Sequence, residues 1–105
     1  HTNHFVCDSL LAAQAPMGVT LSSQPRLETA RRHAQAGPLD QAALETFLRD
    51  ESDGHLSICR SPDPALAPEA RVESVAGIVM NTTTREIWIA PDVPKRCAFE
   101  RIDPP

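Results

Sequence analysis

Three side chains near the start of the chain are of types that bind zinc. His1, His4 and Cys7 follow one another at intervals of three residues, and imidazole and thiolate are both zinc ligands. On a β-strand, however, this interval places His1 and His4 on opposite faces, and no second pair of ligands stands elsewhere in the sequence. The pattern favours structural residues over a closed zinc site, and we expect neither a metal nor a cofactor.

The three cysteines are candidates for a nucleophile, because a thiolate beside a base can attack a carbonyl group. Cys7 and Cys59 stand beside apolar residues, where a thiol usually behaves as a small buried hydrophobe. We therefore predict that both are buried. Cys97 directly follows Lys95 and Arg96, whose positive charges can favour a thiolate, but no partner histidine or local signature accompanies it. None of the three is predicted to be a nucleophile.

Asn3 and Arg71 are polar residues that become candidate functional residues only through the sequence around them. An asparagine in a strand is often an ordinary edge amide, and an arginine after a proline-rich loop is usually solvated. Composition alone supports neither as a functional residue.

The bulk properties bound the class of protein. The chain has 105 residues, a formal net charge of -4, 41% hydrophobic and 23% charged residues, as expected of one globular domain at most. Without a basic surface, nucleic acid and anionic membranes are not expected partners, and no segment resembles a membrane helix or a secretory signal. The odd, widely spaced cysteines favour a reducing compartment such as the cytoplasm.

Two helices are predicted to support these residues. Ser23 can cap the first, with Pro25 in its first turn and Gly37 after its end. Asp40 can cap the second, which is expected to end near Asp50. The apolar stripe of the second helix consists of Leu44, Phe47 and Leu48.

Strands are predicted on either side of the helices. We expect a strand over residues 1–6, a loop over 7–22, a short strand over 56–59 and a final strand around 98–102. The clearest signal is a hairpin, in which residues 72–80 and 86–90 pair across a turn at 81–85. Alternate residues of a strand point to opposite faces, and in the first strand of this hairpin both sets are largely apolar. We therefore expect this strand to be covered on both faces, in a layered α+β architecture.

Four short segments resemble, in order, those of the acyl-coenzyme A:6-aminopenicillanic acid acyltransferase family of cysteine N-terminal-nucleophile hydrolases. The resemblance covers residues 1–90 and lies in His1-Thr2-Asn3-His4, Ser23 with Arg26, Phe47-Leu48-Arg49-Asp50 and Ser57-Ile58-Cys59-Arg60. It implies that residues 1–105 are the C-terminal portion of a four-layer αββα sandwich. The chain's first partner would then be the missing N-terminal half of the domain.

The resemblance also implies an activity. Family members cleave their own precursor to expose an N-terminal cysteine, which here would precede His1, and attack a small amide or acyl-thioester substrate. Asn3 matches the asparagine of the oxyanion hole, and Arg71 matches an active-site arginine, with Arg60 as a competitor. We expect the fragment alone to be inactive. The alternatives are a non-catalytic α+β module for structure or interaction, and metal binding through His1, His4 and Cys7.

Overall fold

A computed structural model describes residue 4, residues 6–14 and residues 22–103. Helices α1 (Asp8–Leu11), α2 (Ser23–Ala36) and α3 (Gln41–Leu48) come first. Two 3-10 turns, Gly54–Leu56 and Pro68–Ala70, lead into strands β1 (Gly77–Asn81), β2 (Glu86–Ala90) and β3 (Glu100–Ile102). This part of the chain is therefore an α+β unit, as predicted. None of its helices has the length and apolarity needed to cross a membrane.

The first two helices differ from the prediction in detail. The region expected to be a loop contains α1, whose first residue, Asp8, places a carboxylate in the first turn, where it stabilises the helix dipole. Helix α2 begins at Ser23 with Ser22 as its N-cap, one residue earlier than predicted, and ends at Ala36, with Gly37 just after its end as expected. Its buried residues are Ser23 and Thr29, so hydrogen bonds rather than an apolar stripe hold it in place. Most of the predicted strand over residues 1–6 lies outside the described residues.

Helix α3 confirms the predicted cap. The Asp40 carboxylate accepts a hydrogen bond of 2.8 Å from the backbone nitrogen of Ala43, which satisfies one of the free amides at the start of the helix. The helix ends at Leu48 and packs against β1.

The three strands form an antiparallel sheet in the order β1-β2-β3. The predicted hairpin is confirmed: Asn81 pairs with Glu86, and the Asn81 side-chain oxygen accepts from the amides of Thr83 and Thr84. The last residue of the turn, Arg85, has a φ of 60°, which a non-glycine residue rarely adopts.

Strand β1 begins at Gly77 and not at residue 72, because Ser74 bonds to another segment. The Ser74 amide donates to the Arg60 carbonyl, and the Arg60 amide donates to the Ser74 hydroxyl. The strand predicted over residues 56–59 is wrong: this stretch is a 3-10 turn followed by bends. There the Ser57 hydroxyl accepts from the Asp53 amide, so local bonds replace a strand partner.

One face of the sheet is covered. Val79 is 5% exposed and Ala90 is fully buried, beneath α3 and the segment 93–99. A Cβ atom on Gly77 would lie 2.8 Å from the Phe99 ring and 2.9 Å from the Pro94 ring. The buried apolar core consists of Cys59, Val79, Ala90 and Val93.

The opposite face of the sheet is open among the described residues. On β1, Ile78 is 55% and Met80 63% exposed, and Ile102 on β3 is 45% exposed. The expectation that β1 is covered on both faces is therefore wrong for this part of the chain. We call this aliphatic surface the bare face; its residues are Ile78, Met80, Ile87, Ile89 and Ile102.

Candidate functional site

The predicted oxyanion donor, Asn3, lies outside the described residues, and its neighbour His4 is the first residue described. His4 is half-buried, and its Nδ1 lies 2.6 Å from the hydroxyl oxygen of Ser23. Ser23 is fully buried at the first position of α2. The structure thus joins the first two segments of the family resemblance.

The start of α2 gives this contact a rigid base. Ser22 is only 3% exposed, and its carbonyl oxygen accepts from both the backbone amide and the side-chain Nε of Arg26. Pro25 fits the first turn because its fixed φ suits a helix and its missing N–H would be unpaired there anyway. The segment containing His4 is therefore attached to a well-ordered helix start.

A groove of about 390 Å³ opens beside His4. Val6 and Leu27 give it an apolar side, while Glu28 and Arg31 bring opposite charges from successive turns of α2. Its remaining described lining residues are Leu11, Gln14 and Gln24. Such a mixed lining can hold a small substrate with both apolar and polar parts.

The other two segments of the resemblance also contact each other. The Cys59 amide donates to the Asp50 carbonyl at 2.9 Å, which links residues 47–50 to residues 57–60. The Asp50 carboxylate bonds to the hydroxyl and amide of Ser52 and to Nε2 of His33, 3.1 Å away. Sequence reasoning missed this cluster, because His33 and Asp50 are 17 residues apart and no local pattern joins them.

The environment of Asp50 lowers the pKa of its carboxyl group. Partial burial alone raises it, but the hydrogen bonds from Ser52 and His33 and the charge of His33 lower it by more. A carboxylate held in this way favours structure over proton transfer, since all its described partners stabilise the ionised form.

A second polar network anchors the middle of α2. Thr29 is fully buried; its hydroxyl donates to the Asp53 carboxylate at 3.1 Å and accepts from Nη2 of Arg32 at 2.8 Å. The two networks hold α2 against residues 50–57 by satisfied hydrogen bonds, which explains how a helix with few buried apolar residues stays docked.

Arg71 is exposed, and its guanidinium group bonds to its own loop. Nε donates to the Leu66 carbonyl at 2.9 Å and Nη2 to the Pro64 carbonyl at 3.3 Å. The competitor Arg60 likewise donates to the carbonyl of His55. No hydrogen bond among the described residues brings either arginine to His4 or Ser23, so the structure does not assemble these predicted site residues into one cluster.

The cysteines divide into exposed and buried sites. Cys59 is fully buried, as predicted, and Cys97 is partly exposed. Cys7 is exposed, so its predicted burial is wrong: it precedes α1, whose residues are also exposed. Hydrogen bonds from the hydroxyl and then the amide of Ser9 lower the pKa of the Cys7 thiol.

The proposed zinc ligands cannot be assembled from the described residues alone. Within the described ranges no three His, Cys, Asp or Glu side chains are grouped to hold a metal, and His1 falls outside those ranges.

No protein-family model, curated protein or solved structure matches the chain.

Proposed function

We propose that this chain forms the oxyanion-stabilising portion of a cysteine N-terminal-nucleophile enzyme that hydrolyses an amide or transfers an acyl group. The nucleophilic cysteine would come from sequence outside these 105 residues. The observation that carries the proposal is the 2.6 Å contact between His4, the residue that follows Asn3 in the sequence, and Ser23 at the start of α2.

The contact supports the proposal because catalysis by an oxyanion hole depends on preorganisation. A donor stabilises the tetrahedral intermediate only if its position is set before the reaction begins. Ser23 is fully buried, so the bond to His4 is shielded from water on at least that side. Asn3 precedes His4 directly in the sequence, so its side-chain NH2 is suited to be such a donor.

The bare face gives independent support at the level of architecture. A sheet with a helix packed on one side and exposed aliphatic residues on the other is what one half of a layered sandwich would present. A second sheet packed on Ile78, Met80 and their neighbours would form the αββα arrangement that the resemblance implies. The proposed occupant is the part of the parent domain that carries the nucleophile.

In the proposed reaction, the cysteine's α-amino group takes the proton of the thiol, the thiolate attacks the substrate carbonyl carbon, and the carbonyl oxygen becomes negatively charged. The Asn3 side-chain NH2 donates a hydrogen bond to this oxygen, more strongly than to the planar substrate. The tetrahedral intermediate then collapses: the C–N bond breaks, the amine leaves with a proton from the cysteine's α-amino group, and a thioester remains. Water or a second amine releases the acyl group.

In this proposal, Arg71 is a fixed positive charge that contacts the substrate. Its bonds to Leu66 and Pro64 order the proline-rich loop, and Nη1 makes no hydrogen bond with the described residues. This nitrogen can contact a substrate carboxylate once the parent domain is complete. Arg71→Met should then raise KM for acidic substrates more than it lowers kcat.

The decisive test uses the parent enzyme with the complete domain. Asn3→Ala should lower kcat by about 10²- to 10³-fold, the usual effect of losing one oxyanion donor, with an unchanged circular dichroism spectrum. Gln35→Ala removes an exposed amide at the far end of α2 and serves as the matched control. Wild-type turnover in Asn3→Ala would exclude the assigned role.

A non-catalytic module is the second candidate, and the bare face favours it equally, since any protein partner with an apolar surface could cover it. Intact mass spectrometry separates the two functions. The parent is treated with an activated thioester in a Cys7→Ser background, which removes the exposed thiol. An acyl adduct that peptide mapping places on the N-terminal cysteine supports the enzyme, whereas no adduct there on a correctly folded parent supports the module.

A further inference from the structure

A second groove, of about 560 Å³, lies between the start of α3 and the turn end of the hairpin. Its volume is within the range of small-molecule sites. Its lining includes Val79 and Trp88 from the covered side of the sheet and Met80 at the sheet edge, and it includes neither His4 nor Ser23. The lining residues that matter below are Leu39, Asp40, Leu44, Val79, Glu86 and Trp88.

Trp88 is the only tryptophan of the chain and is the aromatic residue of this groove. It pairs directly with Val79 across β1 and β2, so both side chains are on the same face of the sheet. Trp88 is half-buried, so part of its indole can be reached from the groove. With Leu39 and Leu44 it forms an apolar wall that remains accessible from solvent.

The charged residues of the groove lining are both acidic. Glu86 is compensated, because it pairs with Arg101 at 3.0 Å and accepts from the Thr84 hydroxyl. Asp40 uses Oδ1 to cap α3, and its Oδ2 makes no hydrogen bond or ion pair with the described residues. One carboxylate oxygen therefore lines the same groove as the half-buried indole and has no hydrogen-bond or ion-pair partner among the described residues.

We propose that this groove binds an alkylammonium group. An indole face attracts a cation more strongly than any other side-chain ring does, the apolar wall accommodates the alkyl carbons, and Asp40 supplies the opposite charge. An anion would be repelled by the Asp40 carboxylate, and a neutral apolar ligand would desolvate Asp40 without giving it a partner. The site goes beyond the proposed catalytic role, because its lining includes none of His4, Ser23 and Arg71.

Fluorescence tests this proposal directly, because Trp88 is the only indole in the chain. The probes are choline chloride and, as its neutral isostere, 3,3-dimethyl-1-butanol, at constant ionic strength. Choline should change the emission of the whole chain saturably and bind roughly tenfold more tightly than the alcohol. N-acetyl-lysine methylamide, as a further probe, shows whether a lysine side chain of a peptide supplies the same group.

Asp40→Asn is the informative variant, since asparagine caps helices as well as aspartate does and should keep α3 intact. It should weaken choline binding by roughly five- to tenfold, whereas Glu69→Gln, which removes an exposed charge elsewhere, should leave it unchanged. Saturable binding of either cation with this loss supports the site. The proposal is overturned if neither cation binds, if the alcohol binds equally well, or if Asp40→Asn binds like the wild type.

Discussion

The guanidinium group of Arg49 lies over the aromatic ring of Phe99, with 4.8 Å between its Cζ atom and the ring centre. Nε also donates to the Pro94 carbonyl at 3.0 Å and Nη2 to the Cys97 carbonyl at 3.3 Å. One side chain at the end of α3 thus holds the segment that covers the sheet.

Replacing Arg49 should therefore loosen the whole covered face. Arg49→Met keeps the aliphatic stem but removes these two bonds, the ion pair of Nη1 with Glu45 at 3.2 Å and the stacked cation. It should lower the free energy of unfolding by about 2 to 3 kcal/mol. The free energy of unfolding of Arg49→Lys should lie between those of the wild type and Arg49→Met, because an ammonium group cannot make both hydrogen bonds and also stack on the ring. Urea denaturation measures the change. Arg96→Met, at an exposed position, is the control and should change stability by less than about 0.5 kcal/mol.

Gly77 is required by the approach of the Phe99 and Pro94 rings. Gly77→Ala places a Cβ within 2.8 Å of Phe99, and this overpacking should cost about 1 to 3 kcal/mol of stability. In a Phe99→Leu background the same substitution should cost less, since the closest atoms are gone. A double-mutant cycle by thermal denaturation measures the coupling. Equal costs in both backgrounds would show that the two residues do not interact.

Asp50 should make stability depend on pH in the acid range. Its pKa is lower in the folded chain than its ordinary value of 3.8, so its contribution is fully present above that value. The contribution is lost as the pH falls through the lower, folded-state pKa. Asp50→Asn should therefore cost about 1 to 2 kcal/mol at pH 7 and progressively less below about pH 4. Urea titrations of both proteins at several pH values provide the comparison, and a constant difference down to pH 2 would contradict it.

The cysteines should react in a clear order with a disulfide reagent. Cys7 is exposed and has a lowered pKa, so it should react rapidly at neutral pH, whereas Cys59 is fully buried and should react only after unfolding. Ser9→Ala removes the main hydrogen bond to Cys7 and should slow its reaction roughly two- to fivefold at pH 7.5. A Cys97→Ser background keeps the assignment simple. Reaction of Cys59 at the rate of Cys7 under native conditions would contradict its burial.

Local patterns in the sequence were sufficient to predict α3 and the hairpin. The Asp40 cap forms a bond to an amide only three residues away, and the turn between β1 and β2 is closed by the Asn81 side chain. The last strand was also placed correctly within two residues of its start. These features depend on neighbours along the chain, so propensity and periodicity contain the necessary information.

Elements that depend on distant partners were predicted less well. Ser74 bonds to Arg60, 14 residues earlier, and this contact shortens β1 at its start. The apolar run before Arg60 suggested a strand, but the amide of Cys59 donates to Asp50 instead. The burial of Cys7 was predicted from its apolar neighbours, yet α1 has no described element packed over it to bury the thiol.

For the candidate site, the sequence by itself determined which residues merit attention: Asn3 with the neighbouring His4, Ser23 at a helix start, and Arg71 after the proline-rich loop. Only the tertiary structure decided that His4 meets Ser23, that Arg71 bonds to its own loop, and that one face of the sheet remains bare. The physical reason is that residue type sets what a side chain can bind, whereas folding sets which groups come within the few ångströms over which hydrogen bonds and packing act.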